Sequence, residues 1–233
     1  LTITRASNST TASTKDDGET LTVVNEGMDV VTGGAGNDTI VFETSVPVGG
    51  TNDKWVAVGA TTAAPYVATN NGTDTVTFDV GVRGAEFDLD PLSSVSGTGG
   101  TNGWLAVNQG STTGDDSAGN AVDPVAAGGS GEEPLANKIT IYDSGLTTEI
   151  TKAQIIADIT GADGTADALA MATNGAGVLV TGDDTTAKVQ IWWIDSALDG
   201  DGTDVTAADI ALLVESATDL ALTGLYVDQF LVA

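Results

Sequence analysis

Short segments of alternating apolar and polar residues recur along this chain, separated by turns rich in glycine, aspartate and asparagine. Val, Ile and Thr favour strands, whereas Gly, Asp and Asn favour tight turns, so the pattern predicts many short strands. Residues 1–24 predict an edge strand and a polar Thr/Ser-rich segment. Residues 91–136 predict a long loop region that is interrupted by a short apolar segment at Trp104–Val107.

The pattern changes after residue 136. Residues 137–144 predict a strand, and residues 177–195 predict two strands around a Gly-Asp-Asp turn. Helices are predicted over 151–159, 165–172 and 206–216, the first and third of which begin with a capping-box pattern. We therefore expect two regions: a β-rich region over 1–136 and an α+β region over 137–233.

The charge of the chain is strongly unbalanced. Seven basic residues face 33 acidic ones, and the formal net charge is −26. A compact fold with this imbalance repels itself unless salt or bound divalent cations offset the repulsion. Nucleic acids and anionic membranes are not expected as partners, because no basic patch is present to bind their phosphates. Membrane insertion is not expected either, since no apolar run approaches about 18 residues.

The chain contains no cysteine and no histidine. Disulfides, zinc and haem sites of the usual ligand types, histidine-based triads and cysteine nucleophiles are therefore excluded. Adjacent carboxylate pairs such as Asp115-Asp116 and Asp183-Asp184 are more typical of turns and metal ligands than of glycoside hydrolysis. We therefore expect a protein that is not an enzyme.

One motif carries specific chemistry. Residues Gly33–Val41 match G-G-x-G-x-D-x-U-x at every position. The glycines allow a tight turn, Asp38 supplies a carboxylate, and Ile40 points from a short strand into the core. Calcium takes 6–8 oxygen ligands, so at least two such turns must contribute to each ion. The motif therefore predicts that folding depends on Ca²⁺.

Neighbouring segments repeat this motif. Gly27 and Asp29 lie nine residues before Gly36 and Asp38, and residues 71–76 (Asn-Gly-Thr-Asp-Thr-Val) repeat its second half. The alternative interpretation is a Gly-Asn-Asp hairpin turn that binds no metal.

A second candidate site is the acidic segment 195–209, whose spaced aspartates are similar to EF-hand or dockerin loops. The terminal Glu of such loops is absent, and the alternative is a solvated turn that places negative charge at a helix N-terminus. The predicted metal-binding residues of both sites are Asp29, Gly34, Gly36, Asp38, Gly27, Asp74, Gly72, Asp195, Asp199, Asp201 and Asp209.

The repeats at 25–41 and 71–76 resemble those of RTX (repeats-in-toxin) proteins. The resemblance implies a mainly β fold, in which a short parallel β-roll of calcium-binding repeats precedes an α+β C-terminal part. It also implies calcium-triggered folding outside the cell and export by a type I secretion machine. The final residues 228–233 (DQFLVA) resemble the uncleaved C-terminal signal that such a machine reads.

These features predict a secreted, self-assembling structural protein of a surface layer, matrix or filament, with calcium bridging acidic faces of neighbouring copies. One alternative is the C-terminal RTX domain of a larger secreted enzyme or toxin. Another is a calcium-dependent adhesin that binds cell-surface polysaccharide through exposed Trp104, Trp192 or Trp193. The alternation around Trp192 and Trp193 places one ring on each face of a strand, which favours core packing over exposure.

Overall fold

The computed structural model of this chain describes residues 2–5, 20–23, 29–33, 36–42, 54–56, 72–77, 86–89, 106–108, 125–126, 133–136, 138–161, 169–173, 175–182, 187–196, 204–222 and 230–231. Within these residues the chain forms strands and a single helix, and the largest sheet mixes parallel and antiparallel pairs. The prediction of a mainly β protein is therefore confirmed.

Nine short strands precede residue 130. They are β1 (Thr2–Arg5), β2 (Thr20–Val23), β3 (Asp29–Thr32), β4 (Thr39–Phe42), β5 (Lys54–Val56), β6 (Asp74–Thr77), β7 (Glu86–Asp88), β8 (Ala106–Asn108) and β9 (Val125–Ala126).

The rest of the chain contributes longer strands and the helix. These elements are β10 (Glu133–Pro134), β11 (Lys138–Asp143), α1 (Lys152–Thr160), β12 (Leu169–Ala170), β13 (Ala176–Gly182), β14 (Lys188–Asp195), β15 (Ile210–Asp219) and β16 (Phe230–Leu231).

From β2 to β7 the chain alternates between two sheets. Of these, β2, β4 and β6 belong to a large sheet with the order β2-β4-β6-β15-β14-β13-β11-β8, in which β9 also pairs with β11. The odd-numbered strands join a small sheet in the order β1-β3-β5-β7-β16. Strands β2, β4 and β6 run parallel to one another, as do β3, β5 and β7. Each pass of the chain therefore adds one strand to each sheet.

The main core lies between these two sheets. Ile40 and Val76 of the large sheet and Val31, Trp55 and Phe87 of the small sheet are fully buried members of one apolar cluster. In β6 buried residues alternate with partly exposed ones, as expected for a strand with one face on a core.

A second core covers the other face of the large sheet. The helix α1 buries Ile155 there, in a cluster with Tyr142, Leu179 and Trp192. The predicted capping box is present: the Thr151 side chain accepts from Gln154 N, and the Gln154 side chain accepts from Thr151 N at 2.9 Å.

Two of the three predicted helices are not found in the described residues. The segment predicted as a helix over 206–216 forms a turn and then β15, whose Ile210–Ser216 part is mostly buried and pairs with β14 on one side and β6 on the other. A continuous apolar run does not distinguish a buried strand from a buried helix, and here tertiary pairing decides. In the segment 165–172, Leu169–Ala170 forms β12, and the preceding residues 165–168 lie outside the described part.

The described strands on both sides of residue 136 share one sheet and one core, because β15 pairs in parallel with β6. The division into regions 1–136 and 137–233 stays a prediction. No helix in the described residues is long and apolar enough to cross a membrane.

Candidate metal centre

Two turns of the predicted repeats stack against each other at the edge of the core. One precedes β4 and the other precedes β6, and the two strands pair in register with Thr39 opposite Thr75. Thr75 N donates to Asp38 O at 2.8 Å, and Thr73 N donates to Asn37 Oδ1 at 2.9 Å. The backbone and the Asn37 side chain therefore fix one turn on the other.

Glycines make this close stacking possible. Gly36 and Gly72 have φ of 102° and 61°, in the region that favours glycine. A Cβ atom on Gly72 would overlap the carbonyl oxygen of Gly36, and one on Gly33 would overlap the carboxylate of Asp74. The turn-forming role that the motif predicts for Gly36 and Gly72 is therefore present in the structure.

Asp74 is fully buried and held by two donors. Its Oδ1 accepts from Asp38 N at 3.1 Å, and its Oδ2 accepts from Trp55 Nε1 at 2.8 Å. Burial raises the pKa of Asp74 to about 7, although these two hydrogen bonds work in the opposite direction. Desolvation thus outweighs both donors.

Asp38 is the residue whose environment is incomplete. Its side chain is 1% exposed, and within the described part of the chain neither carboxylate oxygen has a hydrogen-bond partner. An ionised carboxylate without a partner in a protein interior is strongly destabilising unless a counter-ion is bound. Asp38 also lies beside Asp74, whose Oδ1 accepts from Asp38 N at 3.1 Å. The buried Asp38 carboxylate and its neighbour therefore form a candidate site for a cation.

The donor set fits a hard cation. Two carboxylates meet at a turn in which the Gly36 carbonyl and the Asn37 side-chain oxygen also lie close to the partner turn. Calcium accepts carboxylate, carbonyl and water oxygens together. Among the residues that the structure describes, no group of three or more acidic side chains converges on one point. A calcium ion here would therefore complete its shell with backbone carbonyls and water.

The repeat around Asp29 occupies a different place from that around Asp38. Asp29 begins β3 in the small sheet, whereas Asp38 precedes β4 in the large sheet. The sheet neighbour of Asp38 is instead Asp74, 36 residues further along. Gly27 and Gly34 lie outside the described residues, so the roles of Asp29, Gly27 and Gly34 stay predictions.

The second candidate site is described only at its two ends. Asp195 ends β14 and its N–H donates to Asp209 O at 2.9 Å, so the structure brings these two residues together. The Asp209 carboxylate accepts from Thr206 N and from Thr206 Oγ1, both at 2.8 Å. Asp199 and Asp201 lie outside the described residues, and calcium binding by this segment stays a prediction.

The tryptophan pair in β14 packs on opposite faces of the large sheet, as predicted. Trp193 is fully buried in the main core, and Trp192 is 4% exposed in the second core, where its Nε1 donates to Thr181 Oγ1 at 3.2 Å. Neither ring is exposed for stacking on a sugar. Of the tryptophans that the adhesin alternative invokes, Trp104 remains, and it lies outside the described residues.

Sequence reasoning missed Trp55 and the pairing of Asn37 with Thr73. Trp55 lies in the segment Asp53–Val56, which carries no repeat signature. Asn37 occupies an unspecified position of the motif, and its partner is 36 residues away. The available sequence signal for Trp55 was its position between the two repeats, which does not indicate the residue to which its N–H donates.

Comparison with known proteins adds no family assignment. No protein-family model, no curated protein and no solved structure matches this chain.

Replacing Gly72 with alanine tests the stacking of the two turns. We expect a loss of about 1–2 kcal/mol from the positive φ and a further 1–3 kcal/mol from overlap with the Gly36 carbonyl. Gly145→Ala is the matched control, since Gly145 has φ of 65° and open space around an added Cβ. Urea denaturation of both variants gives the two free energies of unfolding. Equal losses in the two variants would show that the turns are not in contact.

The pKa of Asp74 predicts a pH dependence of the cation-free protein. The folded pKa of about 7 exceeds the unfolded value of 3.8, so the folded state retains a proton that the unfolded chain releases. The contribution of Asp74 to stability therefore falls as pH rises from about 4 to about 7, by roughly 4 kcal/mol.

Asp74→Asn removes this titration while leaving the other carboxylates in place. Cations are removed with a chelating resin, and the unfolding free energy of wild type and variant is measured from pH 4 to pH 8. Over this range, the stability of wild type relative to the variant should fall by roughly 4 kcal/mol. A constant difference over this range would contradict the assignment.

Proposed function

We propose that this chain is a secreted calcium-binding structural protein that assembles outside the cell and does not act as an enzyme. One observation carries the proposal: the Asp38 carboxylate is buried beside Asp74 between two stacked glycine turns, and neither of its oxygens has a partner among the described residues. A bound calcium ion supplies the missing positive charge.

The ligand arrangement supports coupling between calcium and folding. Asp38 and Asp74 are 36 residues apart and reach the same place only after the chain has passed through the small sheet between them. The unfolded chain has no preformed site, so the free energy of calcium binding becomes free energy of folding. In this proposal, the chain stays loosely folded where calcium is scarce and folds where it is abundant.

The composition supports an extracellular setting. A net charge of −26 with seven basic residues leaves most carboxylates without a cationic partner from the protein itself. Calcium sites of extracellular modules work at Kd of about 10⁻⁴–10⁻³ M, which suits a site built from two carboxylates and neutral oxygens. The resemblance of residues 228–233 to a type I secretion signal is the basis for proposing export.

The same charge argument supports assembly. Copies of a strongly acidic protein repel one another, and divalent ions that bridge carboxylates on facing copies remove that repulsion. We therefore propose that calcium acts twice, once inside each subunit at Asp38 and again between the acidic surfaces of neighbouring subunits in a layer, matrix or filament.

Calcium should stabilise the purified chain. At a free concentration of about a hundred times the Kd, we expect a gain of about 2.7 kcal/mol, equivalent to roughly 5–11 °C in Tm. Magnesium should substitute poorly, because it demands octahedral geometry and retains its water. Calorimetry with calcium, with magnesium and with EGTA measures the three Tm values.

Asp38→Asn should abolish most of this gain, because it removes the partnerless carboxylate and keeps the side-chain size. Asp219→Asn is the matched control, since it makes the same charge change at an exposed position at the end of β15. A wild-type Tm that is identical in calcium and in EGTA would refute the proposed function.

A further inference from the structure

Trp55 links the two sheets at the candidate metal centre. It belongs to β5 of the small sheet, whereas Asp74 belongs to β6 of the large sheet. Its Nε1 donates to Asp74 Oδ2 at 2.8 Å, and its side chain is fully buried. The indole ring packs on Phe87 of β7, with ring centroids 6.1 Å apart. The hydrogen bond therefore joins the carboxylate to the packed interior of the opposite sheet.

The two carboxylates differ in how they are held. Asp74 receives one donor from each side, Asp38 N on Oδ1 and Trp55 Nε1 on Oδ2, so its plane is fixed. An ionised carboxylate has about four lone-pair sites, so two remain for a cation. Asp38 has neither oxygen engaged within the described residues. The Asp38 carboxylate is therefore free to reorient toward an ion, whereas the orientation of the Asp74 carboxylate is set by its two hydrogen bonds.

We propose that Trp55 is a positioning residue of the calcium site, which orients the Asp74 carboxylate toward the ion and transmits calcium binding to the packing of the small sheet. This inference rests on the proposed calcium site. Trp55 does not touch the ion: its N–H has no lone pair to offer, and it acts through Asp74. Outer partners that orient a metal ligand typically change metal affinity by about 10–100-fold when they are removed.

The inference has a structural consequence beyond affinity. Trp55 lies on β5, between β3 and β7. An ion that restricts the motion of Asp74 therefore also restricts the motion of the small sheet, at a distance from the turns. Calcium should therefore slow amide hydrogen exchange in β5 (Lys54–Val56) and β7 (Glu86–Asp88) as well as in β4 and β6.

Trp55→Phe tests the role of the indole N–H, because it keeps an aromatic ring next to Phe87 and removes the donor. Titration calorimetry with calcium chloride should show an affinity about 10–100-fold below that of the wild-type chain. Phe230→Leu is the matched control. It also replaces a buried aromatic side chain of the small sheet, but in β16, which pairs with β7 rather than with β5. It should lower Tm and leave calcium affinity within about threefold of wild type.

A second measurement uses the wild-type chain alone and does not depend on the folding of any variant. The indole Nε1–H resonance of Trp55, assigned by triple-resonance NMR, should shift with calcium and saturate at the Kd given by calorimetry. A wild-type chain that binds no calcium would overturn the proposed function. A wild-type chain that binds calcium, with a Trp55 resonance that does not move or a Trp55→Phe affinity equal to wild type, would overturn only the role of Trp55.

Discussion

Two buried carboxylates lie side by side where neighbouring parallel strands begin, and hydrogen bonds from Asp38 N and Trp55 Nε1 hold the second of them. Asp38 and Asp74 are 1% and 0% exposed. Two carboxylates brought close together in a poorly solvated interior repel each other when both are charged. The donors around Asp74 do not remove this difficulty, since burial still raises its pKa to about 7. In the proposed function, a bound calcium ion relieves this repulsion.

The path of the chain explains why this pair comes from turns that are distant in sequence. Because β2 to β7 alternate between two sheets, each strand pairs in parallel with the next but one along the chain. The turns before β4 and β6 consequently stack, although a strand of the small sheet lies between them in sequence. Parallel pairing of this kind requires crossover connections and closes long loops before any contact forms. In the proposed function, a metal ion that joins the two turns would offset part of that entropic cost.

The candidate centre also connects elements far from the turns. Trp55 ties Asp74 to the small sheet, and Thr73 Oγ1 donates to Leu212 O in β15 at 3.1 Å. Through β15 the same turn is connected to strands β14 and β13, whose side chains form the second core together with the helix α1. In the proposed function, calcium bound near Asp38 therefore stabilises the whole two-sheet body rather than a peripheral loop. The proposed role, a subunit that becomes rigid after export, requires such coupling.

The sequence by itself determined what depends on local chemistry. The positive φ of Gly36, the alternation in β4 and β6, the strands β11, β13 and β14, and the capping box at Thr151 all follow from backbone freedom, side-chain branching and short-range hydrogen bonds. Only the tertiary structure decided the rest. The segment 210–216 forms a strand because β14 and β6 pair with it on either side. Asp38 lies beside Asp74 rather than Asp29 because the chain alternates between the two sheets. Trp55 contacts Asp74 from the opposite sheet. Each of these outcomes depends on contacts between residues distant in sequence, whose free energies exceed the weak local preferences that a sequence pattern records.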